Sequence, residues 1–290
     1  MHAPRGGACY ILQMFLGVIF WGGLGLIFGS FTNVLIARHD SGKTLGGRSE
    51  CPSCHRKLRW FELVPILSWV VLLGRCRTCH AGISVQYPLV ELLVTLGFLG
   101  VGLAPTSLIV RVLGCAAVVL LIAVAGYDIR HMLMPDIWVY GFVALSFLLG
   151  TLAFPAHDFV GWILFGLTGP LVALPLFLLA RGSRETWMGY GDVKFALGMG
   201  WLLGIALGYV ALCFAFIIGA LIGVCILLPL DYVRTRIGRG ITGFHSGENH
   251  LTIKSEIPFG PFLICGTYIV WFFTLYNLDL IHMLADFSGY

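Results

Sequence analysis

Long apolar runs alternate with short polar breaks along almost the whole chain, and most runs are of the length that spans a bilayer as a helix, roughly 20 residues. Eight are expected: Tyr10 to Ala37, Tyr87 to Leu103, Ser107 to Tyr127, Asp136 to Ala153, Phe159 to Ala180, Val193 to Leu207, Gly208 to Leu230 and Pro258 to His282. The sixth and seventh are separated only by the glycine-containing stretch Gly204 to Gly208. The pattern therefore predicts a short sixth span and a tight turn, and fusion of the two would change the parity of the topology. The first run is longer than a signal-peptide core and reads as a retained helix. The expected fold is an all-α polytopic membrane protein, divided into residues 1–37 (first helix), 38–86 (a polar segment) and 87–290 (the remaining membrane helices).

Composition strengthens this reading, because 58% of the 290 residues are hydrophobic and 11% charged, more apolar surface than one soluble core of this length hides. Basic residues orient the chain, since Lys and Arg collect in cytoplasmic loops. With eight helices and both termini outside, all but Arg5 and Arg111 of the 18 basic residues fall on the cytoplasmic side. The rule accounts for the positive balance without a nucleic-acid partner, because the basic residues are dispersed and form no patch interleaved with aromatics.

The polar segment carries Cys51-Pro-Ser-Cys54 and Cys76-Arg-Thr-Cys79, two Cys-x-x-Cys pairs with the spacing of a tetrathiolate zinc site. A segment this small has little core of its own, so structural zinc would fold it. Disulfides are disfavoured in a reducing cytosol. Both pairs run on into histidine, His55 and His80, which leaves a membrane redox protein with two c-type haems as an alternative.

Acidic residues near apolar helices are few, and one at a helix centre costs about 2.5–3.5 kcal/mol on insertion scales. Asp128 closes the third run in Ala-Gly-Tyr-Asp-Ile-Arg, and Asp192 opens the sixth in Met188-Gly189-Tyr190-Gly191-Asp192-Val193-Lys194. Both fall at the same membrane face, where two carboxylates sharing a proton could act as base toward water and acid toward a scissile carbonyl. Gly189 and Gly191 would let a turn or an extended substrate come close. The plainer alternatives are helix capping by Asp192, and interfacial ion pairs of Asp128 with Arg130 or His131 and of Asp192 with Lys194. Asp136 and Asp158 read as helix-end residues, and the polar stretch with His245, Glu248 and His250 as a solvated linker.

Several of these segments together resemble the bacterial type IV prepilin peptidases. They are Gly29-Ser-Phe-Thr-Asn-Val34 with Arg38, the four cysteines, Glu62-Leu-Val-Pro-Ile-Leu-Ser-Trp69, Gly74-Arg-Cys-Arg77, Tyr87-Pro-Leu-Val-Glu91, the Asp128 string through Met134-Pro-Asp136, the Asp192 string, and Ile257-Pro-Phe-Gly-Pro261. The resemblance implies that Asp128 and Asp192 form a catalytic pair, with Gly189, Gly191 and Lys194 supporting it. It further implies inner-membrane prepilin or type II secretion pseudopilin substrates cut after a glycine at the cytoplasmic face. Members with the tetracysteine segment often also methylate the new N-terminus with S-adenosylmethionine. No methyl-donor site is legible, and Glu62, Arg75 and Glu91 are candidates for substrate or donor contacts. Presenilin-like intramembrane proteases share the two-aspartate logic, but their Pro-Ala-Leu string is missing here. Oligomeric state is not indicated.

Overall fold

A computed structural model of the protein describes residues 6–39, 44, 46–153, 158–227 and 258–277. It is helical and, among those residues, contains no β-strand longer than an isolated bridge. In chain order the helices are α1 (Gly6–Arg38), the short α2 (Leu67–Val71), α3 (Gln86–Gly102), α4 (Leu108–His131), α5 (Asp136–Ala153), α6 (Phe159–Gly182), α7 (Tyr190–Ile222) and α8 (Gly260–Leu275). By length and composition α1, α4, α5, α6 and α7 can each cross a membrane, and α3 and α8 are shorter apolar helices. Large apolar side chains such as Ile11, Leu108, Ile163 and Phe159 stand exposed on the outer faces, as they should where lipid is the solvent. The protein is a multi-pass membrane protein.

Successive membrane helices run antiparallel, and small residues set how closely they approach. Gly25 and Gly29 of α1 stand four apart on one face; a Cβ added at Gly25 would lie 2.7 Å from the Thr95 backbone of α3, and one at Gly29 2.7 Å from that of Glu91. Side chains larger than hydrogen would push the pair apart. Farther along, Gly97 of α3 accepts Val118 of α4, and Gly114 of α4 faces Trp271 of α8. The bundle thus has two ends. One carries the polar segment, the end of α4 and the start of α8.

The α7 segment settles the parity question. Its backbone leaves helical geometry at Gly204, with φ 76° and ψ 179°, a region that is essentially glycine's alone. Contacts on either side of the break run in opposite directions. In the first limb (190–203) Tyr190 lies near Phe177 and the Trp201 indole donates to the Gly166 carbonyl at 3.1 Å. In the second limb (205–222) Gly208 is back beside Val172, and Phe216 and Gly219 reach Phe259 and Phe262 at the start of α8. The expected tight turn is present, beginning at Gly204. Counting both limbs, eight apolar helical limbs are present among the described residues.

Two prolines inside α6 explain part of the fit between α6 and α7. A proline has no N–H for the carbonyl four residues earlier, so Pro170 releases Gly166 O and Pro175 releases Leu171 O. In a membrane those acceptors have no water to turn to. Each is met by one limb of α7: Trp201 donates to Gly166 O, and the Tyr209 hydroxyl donates to Leu171 O at 2.8 Å.

Other boundaries differ modestly. Asp158 caps α6 by accepting from the Gly161 N–H at 3.0 Å, as a helix-end residue should. The expected third span stops at Tyr127, whereas α4 continues to His131 and closes with Met132 in the left-handed region, its N–H on the Asp128 carbonyl. Asp128 consequently sits inside the last turn of α4 rather than beyond it. The stretch with His245, Glu248 and His250 lies outside the described residues.

Candidate active site

Asp128, Asp192 and the N-terminus of α8 converge at the end of the bundle that carries the polar segment. Asp128 is buried, at 5% exposure, and its carboxylate accepts a hydrogen bond from the Gly260 backbone N–H, in the first turn of α8. That turn presents unpaired N–H groups and the positive end of the helix dipole, both suited to a carboxylate. A Cβ at position 260 would run into the Asp128 carboxylate and the Met134 methyl, so any larger residue must push both side chains aside. Behind Asp128, Gly126 leaves room for Ile36 of α1, and Tyr127 stacks on His131 at 4.2 Å and meets His39 and Trp138 edge-on.

Asp192 is the third residue of α7 and half-buried. Its carboxylate lies toward the backbone N–H of Gly189, the residue before the helix, and within electrostatic reach of Asp128. Lys194 does not pair with Asp192. Its ammonium donates to Asp136 at 2.7 Å and sits over the Tyr140 ring, tying α7 to α5.

The two motif glycines behave differently. A Cβ at Gly191 would stand 3.2 Å from Met134, which packs between Gly191 and Gly260. Gly189 is exposed, has φ −80°, and an added Cβ would meet nothing closer than 3.9 Å. The fold itself does not require glycine there. Gly260 and Met134 received no role from the sequence, although the Pro258-Phe-Gly-Pro261 string at a helix start was the available signal.

In the polar segment each Cys-x-x-Cys pair forms a matching knuckle. Cys51 N–H bonds to Arg56 O and His55 N–H to Cys51 O; Cys76 N–H bonds to Ala81 O and His80 N–H to Cys76 O. His55 and His80 occupy the left-handed region, at φ 55° and 53°, and isolated bridges Glu50 to Lys57 and Arg75 to Gly82 close the two loops. The knuckles face each other, so the four sulfurs lie within 4.8 Å of one another. Thiolates about 2.3 Å from a tetrahedral zinc stand about 3.8 Å apart, and Cys51 and Cys79 sulfurs are 3.8 Å apart. Backbone N–H groups of Cys79 and Thr78 bring the Cys76 thiol down to about 6, while against the Ala81 N–H burial and the neighbouring thiols raise Cys79 to about 11, as expected of sulfurs crowded together without a cation between them. The cluster suits one metal ion, whereas two c-type haems would need the pairs held apart.

Two buried carboxylates tie this segment together. Glu62 accepts from Arg56 at 2.6 Å and from the Arg59 N–H at 2.7 Å, and the Arg56 guanidinium holds its carboxyl below the usual range against the opposing effect of burial. Glu91 of α3 accepts the Ile66 N–H at 2.7 Å, which anchors a residue held at φ 61°. Between the cysteine segment and the ends of α1, α3 and α4 lies a cavity of about 920 Å³ bordered by both carboxylates and by Arg130. Arg75 is exposed and lies off this cavity.

Fold and site together define a multi-pass membrane protein with two aspartates at one end and, beside them, four cysteines placed to hold a metal ion. Two family models match it: the bacterial peptidase A24 N-terminal domain over residues 24–104, and the type IV leader peptidase family over residues 115–224. The chain is 31% identical to the prepilin leader peptidase/N-methyltransferase of Dickeya chrysanthemi, across 83% of this chain and 87% of that protein. It is 32% identical to the protein of the same description in Aeromonas salmonicida, covering 77% and 70%. Identity reaches 36% with that of Myxococcus xanthus, where the match covers 63% of this chain and 60% of the relative's length. No solved structure gives a significant match. The chain belongs to the type IV leader peptidase family.

Proposed function

We propose that the protein is a prepilin leader peptidase in which Asp128 and Asp192 are the catalytic pair, facing the cytoplasm, and that it also methylates the N-terminus it exposes. The observation that carries the peptidase reading is the convergence of two carboxylates from separate helices, within electrostatic reach of each other, at a junction of three helix ends. With one proton between them, the ionised carboxylate takes a proton from water as that water attacks the scissile carbonyl. The protonated partner donates to the carbonyl oxygen, and the leaving amine is protonated as the tetrahedral intermediate collapses. The Gly260 N–H orients the Asp128 carboxylate throughout. The open space at Gly189 suits the glycine before the cut, and the substrates are prepilins or type II secretion pseudopilins. The four cysteines hold structural zinc.

The sequence expectation that sixteen basic residues share one side of an eight-span topology supports the cytoplasmic orientation. Methylation rests on the names of the relatives and on the presence of the cysteine module. The test is mass spectrometry of a purified prepilin incubated with the protein in liposomes, with and without S-adenosylmethionine. Leader loss plus one methyl group is expected. Asp128→Asn and Asp192→Asn should each lower the cleavage rate by about 10²–10⁴-fold, the usual worth of a positioned acid or base. Cleavage at the parent rate in either variant would remove the pair from the mechanism.

A further inference from the structure

We propose that the cavity between the cysteine segment and the ends of α1, α3 and α4 is the binding site for S-adenosylmethionine, with the buried carboxylate of Glu91 as the anchor for its cationic part. The proposal rests on the methyltransferase reading above and gives it a location. At about 920 Å³ the cavity falls within the range of small-ligand sites, roughly 300–1,000 Å³. Its lining is divided in character. Leu63, Leu72 and Ile83 supply an apolar side for an adenine ring, while Glu91 and Arg130 supply opposite charges for a ligand that carries both.

Glu91 is the informative residue. It is 8% exposed, borders the cavity, and accepts its hydrogen bond from a neutral donor, the Ile66 N–H, with the Ser30 side chain also on the cavity wall. Glu62, by contrast, has Arg56. Among the described residues Glu91 forms no ion pair, so a buried carboxylate faces a ligand-sized space with no cation of the protein's own against it. A sulfonium or ammonium group supplies that cation.

The cavity is separate from the aspartate pair but close to it. Arg130 and Asp128 are two residues apart on α4 and so point about 200° apart around the helix. One faces the cavity and the other faces Gly260. A newly exposed N-terminus therefore moves around the last turn of α4, about one helix width of about 10–12 Å, to pass from cleavage to methylation. When bound, the donor supplies an electrophilic methyl: the amine lone pair forms the N–C bond, the C–S bond breaks, S-adenosylhomocysteine leaves, and the amine releases one proton to solvent.

Equilibrium dialysis with radiolabelled S-adenosylmethionine, on the full-length protein in detergent, reads binding without reference to activity. One site per chain is expected. Glu91→Gln keeps an acceptor for Ile66 but loses the charge, and should weaken binding at least tenfold. A second variant guards against misfolding of the first: Gly82 lines the cavity and a Cβ there meets no atom within 4 Å, so Gly82→Trp starts its side chain in open space, fills the cavity from its wall and should also abolish binding. Asp192→Asn should bind as the parent does. Parent-level binding in both cavity variants, or displacement of the donor by a lysine-rich leader peptide alone, would overturn the assignment. Prepilin cleavage by the same preparation keeps the two readings apart, since a cleaving protein that binds no donor defeats this proposal and leaves the peptidase standing.

Discussion

Gly260 shows how much one absent side chain decides. Its missing Cβ lets the first turn of α8 come close enough to donate an N–H to Asp128, and a methyl group in that place would strike the carboxylate and Met134 together. Gly260→Ala should therefore displace Asp128 and lower prepilin cleavage by about 10²-fold or more, the usual effect of misplacing a reacting group by an ångström. Thermal unfolding of the same variant should change far less than its rate. Parent-level cleavage would mean that the α8 turn does not set Asp128. Asp128 and Asp192 stood out in the sequence because carboxylates are rare among apolar runs. Gly260 did not, since its role exists only when α8 meets α4, a contact between residues far apart in the chain. The four cysteines were legible from their spacing alone, whereas the lone buried charge of Glu91 needed the packing of α3 against the cysteine segment to become visible.

Among the elements, the eight apolar runs were readable with most boundaries close to those observed, because bilayer length and hydropathy leave little freedom. What the pattern could not supply was the pairing of α6 with α7. Pro170 and Pro175 announce two orphaned carbonyls, but nothing in the sequence says that Trp201 and Tyr209 answer them. Tyr209→Phe removes one hydroxyl and should cost about 0.6–2 kcal/mol of unfolding free energy, the range for hydrogen bonds between membrane helices. In a Pro175→Ala background the helix regains its own N–H for Leu171 O, and the same substitution should then cost little. Equal costs in both backgrounds would show that the hydroxyl does not serve the proline gap. The cysteine segment is a different kind of element, for which the proposed zinc would supply what a small core does not. Stripping its metal should expose residues 46–86 to proteolysis and rapid hydrogen exchange while α4 to α8 stay protected, with about one zinc released per chain. A segment that keeps its protection after metal removal would contradict a folding role for the cluster.

At the scale of the whole molecule, the reversal at Gly204 brings both ends of α7 to the same end of the bundle, so that one end gathers the cysteine segment, the aspartates and the start of α8. The first limb of α7, residues 190–203, consequently has a reach of only about 21 Å at 1.5 Å per residue, against about 30 Å of hydrocarbon in a typical bilayer. No residue of this limb is exposed, so its neighbours in the bundle, and not the surrounding lipid, span the difference. A limb that falls short would leave Asp192, at its start, in a recess that water must enter, and a thinner bilayer would bring that recess nearer the surface. Reconstitution in vesicles of graded acyl-chain length should show faster cleavage in the thinner bilayers at equal protein content, and a rate indifferent to thickness would detach the short limb from catalysis.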